Sequence, residues 1–294
     1  MTDVLIIGAG PAGLAAALQL QRHRVELVIF EARRVGGLLN SANLVENYPG
    51  FPGGIEGEAL VERMEHQVTA LGVEVTYEEV RNLDYAEGQF KAETQRAVYR
   101  APVVIIASGT IGMTPEGINT PQGLEERVLT EILTIKAVTG KKVVIIGAGD
   151  LAFDYALNLG RRNEVLILNR STERKCLPLL WERARQIPAI SYREQTRLVS
   201  IQAGKDSRLR LVTEHPGGRN DTSCDYLVYA IGRRPNTAFL SGQVRQKVSE
   251  LEQNGLLYTI GDVKNGIYRQ IAIAVGDGIL AAMQIIKNME GRSA

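Results

Sequence analysis

Cysteine is nearly absent from this chain. Two residues in 294, Cys176 and Cys224, stand 48 positions apart, too few and too distant for a disulfide scaffold and suited to a reducing, cytoplasmic setting. Histidine is equally sparse: His23, His66 and His215 are scattered and show no zinc-ligand spacing, so no metal site is expected. No apolar run approaches the ~18 residues a membrane span needs. No charged leader and apolar stretch precede the first strand, so no secretory signal is expected either. Charge of one sign is missing too. With 34 Lys and Arg against 33 Asp and Glu the net charge is +1, which offers nothing to nucleic acid or an anionic membrane surface. What remains is an ordinary apolar fraction of 45%, enough for a sizeable core, and a length that suggests two domains at ~150 residues each.

The stretch from Asp3 to Glu31 organises the rest. Val4 to Ile7 is an apolar run that reads as a buried parallel strand. It breaks into Gly8-Ala9-Gly10-Pro11-Ala12-Gly13, an Ala/Leu-rich helix follows, and a second apolar run, Leu27 to Phe30, ends at Glu31. Strand, glycine turn, helix, strand and terminal acid in this order form a dinucleotide-binding βαβ unit. Gly8 permits the tight turn, Gly10 leaves room for a diphosphate, and Gly13 lets helix and strand pack closely. The diphosphate is expected on the N–H groups at the positive end of the helix, and Glu31 is placed to accept hydrogen bonds from an adenosine ribose.

The unit then recurs. A shift of 139 positions places Gly8 on Gly147, Gly10 on Gly149 and Gly13 on Ala152, and Glu31 falls on Arg170. An acid at that position suits a free 2′-hydroxyl and an arginine suits a 2′-phosphate, with Arg174 and Lys175 just beyond. The expected ligands are an adenine dinucleotide with a free ribose in the first site and NADP in the second. Arg170 also admits the plainer reading of a solvated charge at a strand end. Elsewhere, 33–52 is rich in Gly, Pro and Asn and reads as loop for much of its length. Leu60 to Leu71 has helical spacing, 73–77 and 90–100 read as strands, and Val103 to Ala107 is another buried strand ending in Ser108-Gly109. Leu198 to Val212 and Asp225 to Ala230 read as strands with a hairpin turn over His215 to Asp221. Tyr229 to Thr237 reads as a linker, Leu256 to Asp262 as a strand with an acid at its mouth, and Tyr268-Arg269-Gln270 opens a final apolar helix.

With those residues in view, the chain resembles low-molecular-weight thioredoxin reductases and their relatives in the FAD-dependent pyridine nucleotide–disulfide oxidoreductase superfamily, over nearly its full length. The markers are Gly8 to Glu31, Gly36-Gly37, Glu46-Asn47-Tyr48-Pro49-Gly50-Phe51, Ala107-Ser108-Gly109, Ala230-Ile231-Gly232 with Pro235-Asn236-Thr237, Gly261-Asp262 and Tyr268-Arg269-Gln270. The resemblance implies an α/β fold of two Rossmann-like domains of three-layer ββα type. An NAD(P)H domain (114–231) would be inserted in a discontinuous FAD domain (1–113 and 232–294). It also implies a homodimer whose domains rotate to present nicotinamide and then acceptor to the flavin. Carried over, the FAD residues would be Gly8, Gly10, Pro11, Ala12, Gly13, Glu31, Ala32, Gly37, Leu38, Asn47, Ala107, Ser108, Gly109, Gly261, Asp262, Arg269, Gln270 and Ile271. Asn47 would face the isoalloxazine, Asp262 a ribitol hydroxyl, and Gln270 the pyrimidine edge. The NADP residues would be Gly147, Gly149, Asp150, Leu151, Ala152, Asn169, Arg170, Arg174, Lys175 and Ile231.

The resemblance also locates a departure. The family spacing puts the redox-active Cys-x-x-Cys at Thr130-Glu131-Ile132-Leu133, and Thr134 replaces the acid that usually follows. Ser171 stands where the family has a second arginine, Leu38 where glutamine is common, and Thr237 to Gly261 is shortened, as if a hairpin were trimmed. No catalytic side chain is therefore expected beyond the flavin itself. Electrons from NAD(P)H would pass through FAD directly to an external acceptor, a small molecule or an acidic carrier such as ferredoxin. The pairs Arg22/Arg24, Arg33/Arg34, Arg161/Arg162 and Arg233/Arg234 would either dock such a carrier or simply be solvated. Two alternatives stay open: a ferredoxin–NADP reductase-like or carrier-dependent flavoenzyme with a degenerate NADP site, and a flavin-binding protein without turnover.

Overall fold

The computed structural model describes residues 2–293. In chain order the elements are β1 (Val4–Ile7), α1 (Pro11–Arg22), β2 (Leu27–Phe30), α2 (Gly57–Thr69), β3 (Val75–Thr76), β4 (Asn82–Ala86), β5 (Gln89–Glu93), β6 (Val98–Ala101) and β7 (Val103–Ile106). β8 (Thr110–Gly112), β9 (Val128–Leu129), β10 (Lys142–Ile146), α3 (Asp150–Leu159), β11 (Glu164–Leu168), α4 (Pro178–Arg185) and β12 (Ile190–Arg193) follow. The chain continues with β13 (Arg197–Ala203), β14 (Leu209–His215), β15 (Gly218–Cys224), β16 (Tyr226–Tyr229), β17 (Arg233–Pro235), α5 (Gly242–Gln253), β18 (Leu257–Thr259) and α6 (Ile271–Ser293). Two compact units result, one of 1–40, 46–110 and 235–294, the other of 41–45 and 111–234.

The first unit is built on a parallel sheet ordered β18-β7-β1-β2-β3. β1 lies at its centre and all four of its residues are buried. A strand covered on both faces has no solvent side, so it reads as an unbroken apolar run instead of an alternating one. Leu14, Leu20 and Ile285 pack α1 and α6 on one face. Leu83, Phe90, Val244 and Leu251 bring the antiparallel meander β4-β5-β6 and α5 to the other. α6 lies so close to α1 that a Cβ on Gly278 would overlap the Ala12 carbonyl.

The second unit repeats the plan. Its parallel sheet is ordered β12-β11-β10-β16-β9, with the antiparallel β13-β14-β15 as the third layer. Phe153, Tyr155 and Ala156 of α3 fill one side. Leu198, Leu209, Leu211 and Cys224 fill the other. The α/β class with two Rossmann-like three-layer units holds.

Several local readings differ. The long strand expected over 198–212 is interrupted at 204–208, where a short 3-10 turn (Lys205–Ser207) separates β13 from β14. The hairpin turn is Pro216-Gly217 alone, and Gly218 to Asp221 is already strand, paired in register to Val212. Those residues are polar because β15 is an exposed edge strand, which hid its alternation. α4 and α5 were not anticipated. α5 is opened by Ser241, whose hydroxyl accepts from the Val244 N–H at 3.2 Å, and it occupies the stretch where only a shortening was noted. α6 is long and apolar enough to cross a membrane by length and composition. The sequence did not show this as a run because Gly276, Asp277 and Gly278 interrupt it. A third of its most apolar window is buried in the protein.

Candidate functional site

The glycines of the first turn divide the work as their positions require. Gly8 has φ +108°, and a Cβ there would overlap the Ala107 carbonyl at the end of β7. A Cβ on Gly13 would overlap the Gly8 carbonyl. Gly10, in contrast, has open space around its Cα and caps α1 with no side-chain hydrogen bond. The first-turn N–H groups of α1 are thus left for a ligand, where an anion is worth about 0.3–2 kcal/mol from the helix field alone. Glu31 is fixed beside the turn, accepting from the Ala9 N–H at 3.1 Å and the Arg33 N–H at 2.9 Å. Its carboxylate keeps further lone pairs for a ribose.

Around this turn the first unit gathers most of the other expected residues. Gly37, at φ +52°, brings its Cα face to within 3.9 Å of the Gly10 Cα, measured from a Cβ built on it. The Gly36-Gly37 bend is held by Asn40, fully buried, whose Nδ2 donates to Val35 O at 2.7 Å and Gly37 O at 3.1 Å. Asn47 Nδ2 donates to Gln270 Oε1 at 2.6 Å, joining the two residues expected to face the flavin. Ser108 Oγ donates to the Asn236 carbonyl at 2.6 Å, and Asn236 N–H returns to Gly109 O at 3.0 Å, so the Pro235-Asn236-Thr237 motif closes the end of β7. The N–H of Gly261 donates to Asp277 Oδ2 at 3.0 Å, and Asn265 Nδ2 to the same oxygen at 2.6 Å. A Cβ on Gly261 would stand 2.8 Å from the Ala12 Cβ. Asp262 therefore starts its turn beside the first turn of α1, with Ile271 at the head of α6. Asn40 and Asp277 were not singled out in the sequence. Each supports the bend through its own hydrogen bonds, and no local motif announces such a residue.

The second turn matches the first. Gly147 has φ +138° and a Cβ there would overlap the Ala230 carbonyl, while Gly149 is open and caps α3 without a side chain. Ala152 is fully buried. The segment after β11 folds back onto this turn: Lys175 N–H donates to Ala148 O at 2.9 Å, and Leu177 N–H to Asp150 Oδ1 at 2.7 Å. Asn169 is buried and spends its amide on the bend, donating to Glu173 O and Tyr192 Oη, both at 2.9 Å, and accepting from the Ser171 N–H at 3.2 Å. Arg170 is exposed. Arg174 lies 4.0 Å over the ring of Trp181. Ile231 is 42% exposed.

The positions counted as the disulfide carry other contacts. Gly112 has no room for a Cβ because Thr130 fills the space. Glu131 Oε1 accepts from Arg233 Nη2 at 2.6 Å, and Ile132 is fully buried. Leu133 opens a 3-10 turn. Arg233, expected among the possible docking arginines, is thus a structural ion-pair partner with a 6% exposed side chain. Arg34 is likewise paired, to Glu58 at 3.1 Å. The two cysteines are free and lie in different core clusters, Cys176 beside α3 and α4 and Cys224 at the end of β15, paired with Leu209 of β14. Burial pushes the Cys176 thiol up and the Cys224 thiol up to about 12, so neither is a thiolate at neutral pH. Among the described residues no group of His, Cys, Asp and Glu is arranged to hold a metal.

Residues 2–278 match the family model described as pyridine nucleotide-disulphide oxidoreductase. The chain is 29% identical to the thioredoxin reductase of Rickettsia prowazekii, over 97% of both chains. It is 31% identical to that of Streptomyces coelicolor, over 96% of this chain and 92% of the relative. The crystal structure of T. acidophilum thioredoxin reductase superposes with a TM-score of 0.84 at 26% identity, over 98% of each chain. FAD and NADP(H) are the cofactors of such enzymes, and the open Gly10 and Gly149 backbones with uncapped helix starts fit two dinucleotides. Two nucleotide cradles of one design, joined to that match along nearly the whole sequence, place this chain in the pyridine nucleotide-disulphide oxidoreductase family as a thioredoxin reductase-like, FAD-dependent oxidoreductase.

Proposed function

We propose that this chain passes electrons from NAD(P)H through FAD directly to an external acceptor, without an internal disulfide. The observation that carries this is the fate of the four disulfide positions. Thr130, Glu131, Ile132 and Leu133 contain no sulfur, Glu131 is ion-paired to Arg233, and both thiols elsewhere are held protonated by burial. Bound FAD would supply hydride acceptance and electron release. The polypeptide's part is to hold and polarise. Gly8, Gly10, Pro11, Ala12 and Gly13 would cradle the diphosphate, Glu31 and Ala32 the ribose, and Gly37, Leu38, Ala107, Ser108 and Gly109 the walls. Asp262 would bond the ribitol, and Asn47 and Gln270 the ring edge. With Arg269 and Ile271 at the start of α6, the positive helix end would favour negative charge developing at that edge. Gly147, Gly149, Asp150, Leu151 and Ala152 would hold the NADP diphosphate, with Arg170 and Lys175 near its 2′-phosphate and Ile231 against it.

The acceptor on this reading is a small oxidant or an acidic electron carrier, the assembly a homodimer and the setting cytoplasmic. The test is anaerobic reduction of the yellow protein with NADPH or NADH, followed at the flavin band. Reoxidation is then compared across ferredoxin, quinone, oxygen and thioredoxin. Rapid bleaching with reoxidation by a non-thiol acceptor supports the reading. No bleaching with either nucleotide contradicts it. A second reading, a flavoprotein fed by a reduced carrier, is favoured by Ser171 at a cation position and by Glu173 lying 3.9 Å from Lys175.

A further inference from the structure

The basic loop of the second site is not merely charged but is mounted on aromatic rings. Glu173 O is tied to Asn169 at 2.9 Å and Lys175 N–H to Ala148 O at 2.9 Å. Arg174 is therefore bracketed between the end of β11, where the ribose-reading position lies, and the glycine turn, where the diphosphate lies. A solvated arginine in such a loop would sample many rotamers. This one stacks instead, its guanidinium carbon 4.0 Å from the centre of the Trp181 ring. Trp181 is itself set edge-on against Phe153 of the α3 core at 5.9 Å and against Tyr192 at 5.4 Å. The hydroxyl of Tyr192 accepts from Asn169, which in turn holds the Ser171 N–H. One cluster thus fixes both the bend carrying Arg170 and the direction of Arg174.

We propose that Trp181 is the positioning residue for NADP selectivity: it holds Arg174 where the guanidinium takes over the 2′-phosphate contact that Ser171 cannot make. The proposal rests on the reading of the second unit as a pyridine-nucleotide site. Stacking on one face leaves the guanidinium edge, with its N–H fork, available to a phosphate. It also removes rotamer entropy before the ligand arrives. A cation–π contact of this kind corresponds to about three- to tenfold in affinity, and only for a nucleotide that uses the cation.

The test is calorimetric titration of the FAD-loaded protein with NADP+, NAD+ and 2′,5′-ADP. Trp181→Leu is expected to weaken NADP+ and 2′,5′-ADP about three- to tenfold and NAD+ by less than about twofold. Trp181→Phe, which keeps a ring face, is expected to restore most of the NADP+ preference. Arg174→Gln removes the same cation from an exposed position while leaving the packing of Trp181 on Phe153 and Tyr192 in place, and should show the same selective loss even if Trp181→Leu does not fold. Because Trp181 is the only tryptophan of the chain, 2′,5′-ADP should also change its emission in the wild type and not in Arg174→Gln. Equal losses for NADP+ and NAD+, or losses as large in Trp181→Phe as in Trp181→Leu, would overturn the proposal alone. Wild-type protein that binds none of the three nucleotides would overturn the reading of the site and the proposal with it.

Discussion

Arg233 and Glu131 form an ion pair, Nη2 to Oε1 2.6 Å, with the arginine side chain 6% exposed and the glutamate 30% exposed. It occupies the stretch that family spacing assigns to a redox-active disulfide. An ion pair there cannot take electrons, and it fastens the segment after β9 to β17. On the proposed function, the redox chemistry would then rest with the cofactors alone.

Removing one partner deprives the other charge of this pairing in a largely buried place. Glu131→Gln is therefore expected to lower unfolding stability by about 2–4 kcal/mol, near the lower part of the range for broken buried pairs because the glutamate is partly solvated. Glu131→Gln combined with Arg233→Met should cost less than Glu131→Gln alone. Urea unfolding of the three proteins checks this. A double variant less stable than Glu131→Gln would show that the pair is not the source of the effect.

The first turn makes a sharper distinction between neighbouring glycines. Gly8→Ala forces a side chain into positive φ and onto the Ala107 carbonyl, and should destabilise by about 2 kcal/mol or more. Gly10→Val meets open space at ordinary φ, and should change stability by less than about 1 kcal/mol while sharply reducing flavin retention, because its side chain projects where a diphosphate must approach. Thermal unfolding of apoprotein and the flavin-to-protein absorbance ratio separate the two effects. Gly10→Val that retains full flavin would remove the turn from the FAD site.

Asp154, on α3, is the group with the clearest pH consequence. Burial raises its carboxyl from the ordinary 3.8 to about 6, against the opposing pull of the Asn43 N–H that it accepts at 3.1 Å and of the Lys136 charge; Asp150 adds to the rise. Its folded-state pKa lies above its unfolded one, so the folded protein binds the extra proton between those values. Stability from this group is present below about pH 4 and is lost as pH rises through about 6, by at most about 3 kcal/mol. Asp154→Asn should flatten that part of the stability profile and raise stability at pH 7. Denaturant midpoints at pH 4.5 and 7.5 decide it, and an unchanged difference in the variant would contradict the assignment.

Much of this was readable in the residues. The positions from Gly8 to Gly13 and their repeat 139 residues later announce themselves because only glycine satisfies both the positive φ and the carbonyl contact at Gly8 and Gly147. Buried parallel strands announce themselves by lacking alternation. What escaped has the opposite character. Asn40 and Asp277 act through hydrogen bonds set by the fold, and Trp181 and Arg174, seven positions apart, meet only because α4 turns back on the loop. β15 escaped because its solvent-facing residues are polar throughout its first half. Arg233 looked like surface charge because nothing in its neighbours betrays Glu131, about a hundred residues earlier.

The most direct measurement is an anaerobic reductive titration of the FAD-loaded protein with NADPH. The proposed path without a disulfide predicts bleaching complete at about one equivalent per flavin, with Cys176→Ser and Cys224→Ser leaving that endpoint unchanged. An endpoint near two equivalents, reduced toward one by the cysteine substitutions, would reveal a thiol pair in the electron path and contradict the account.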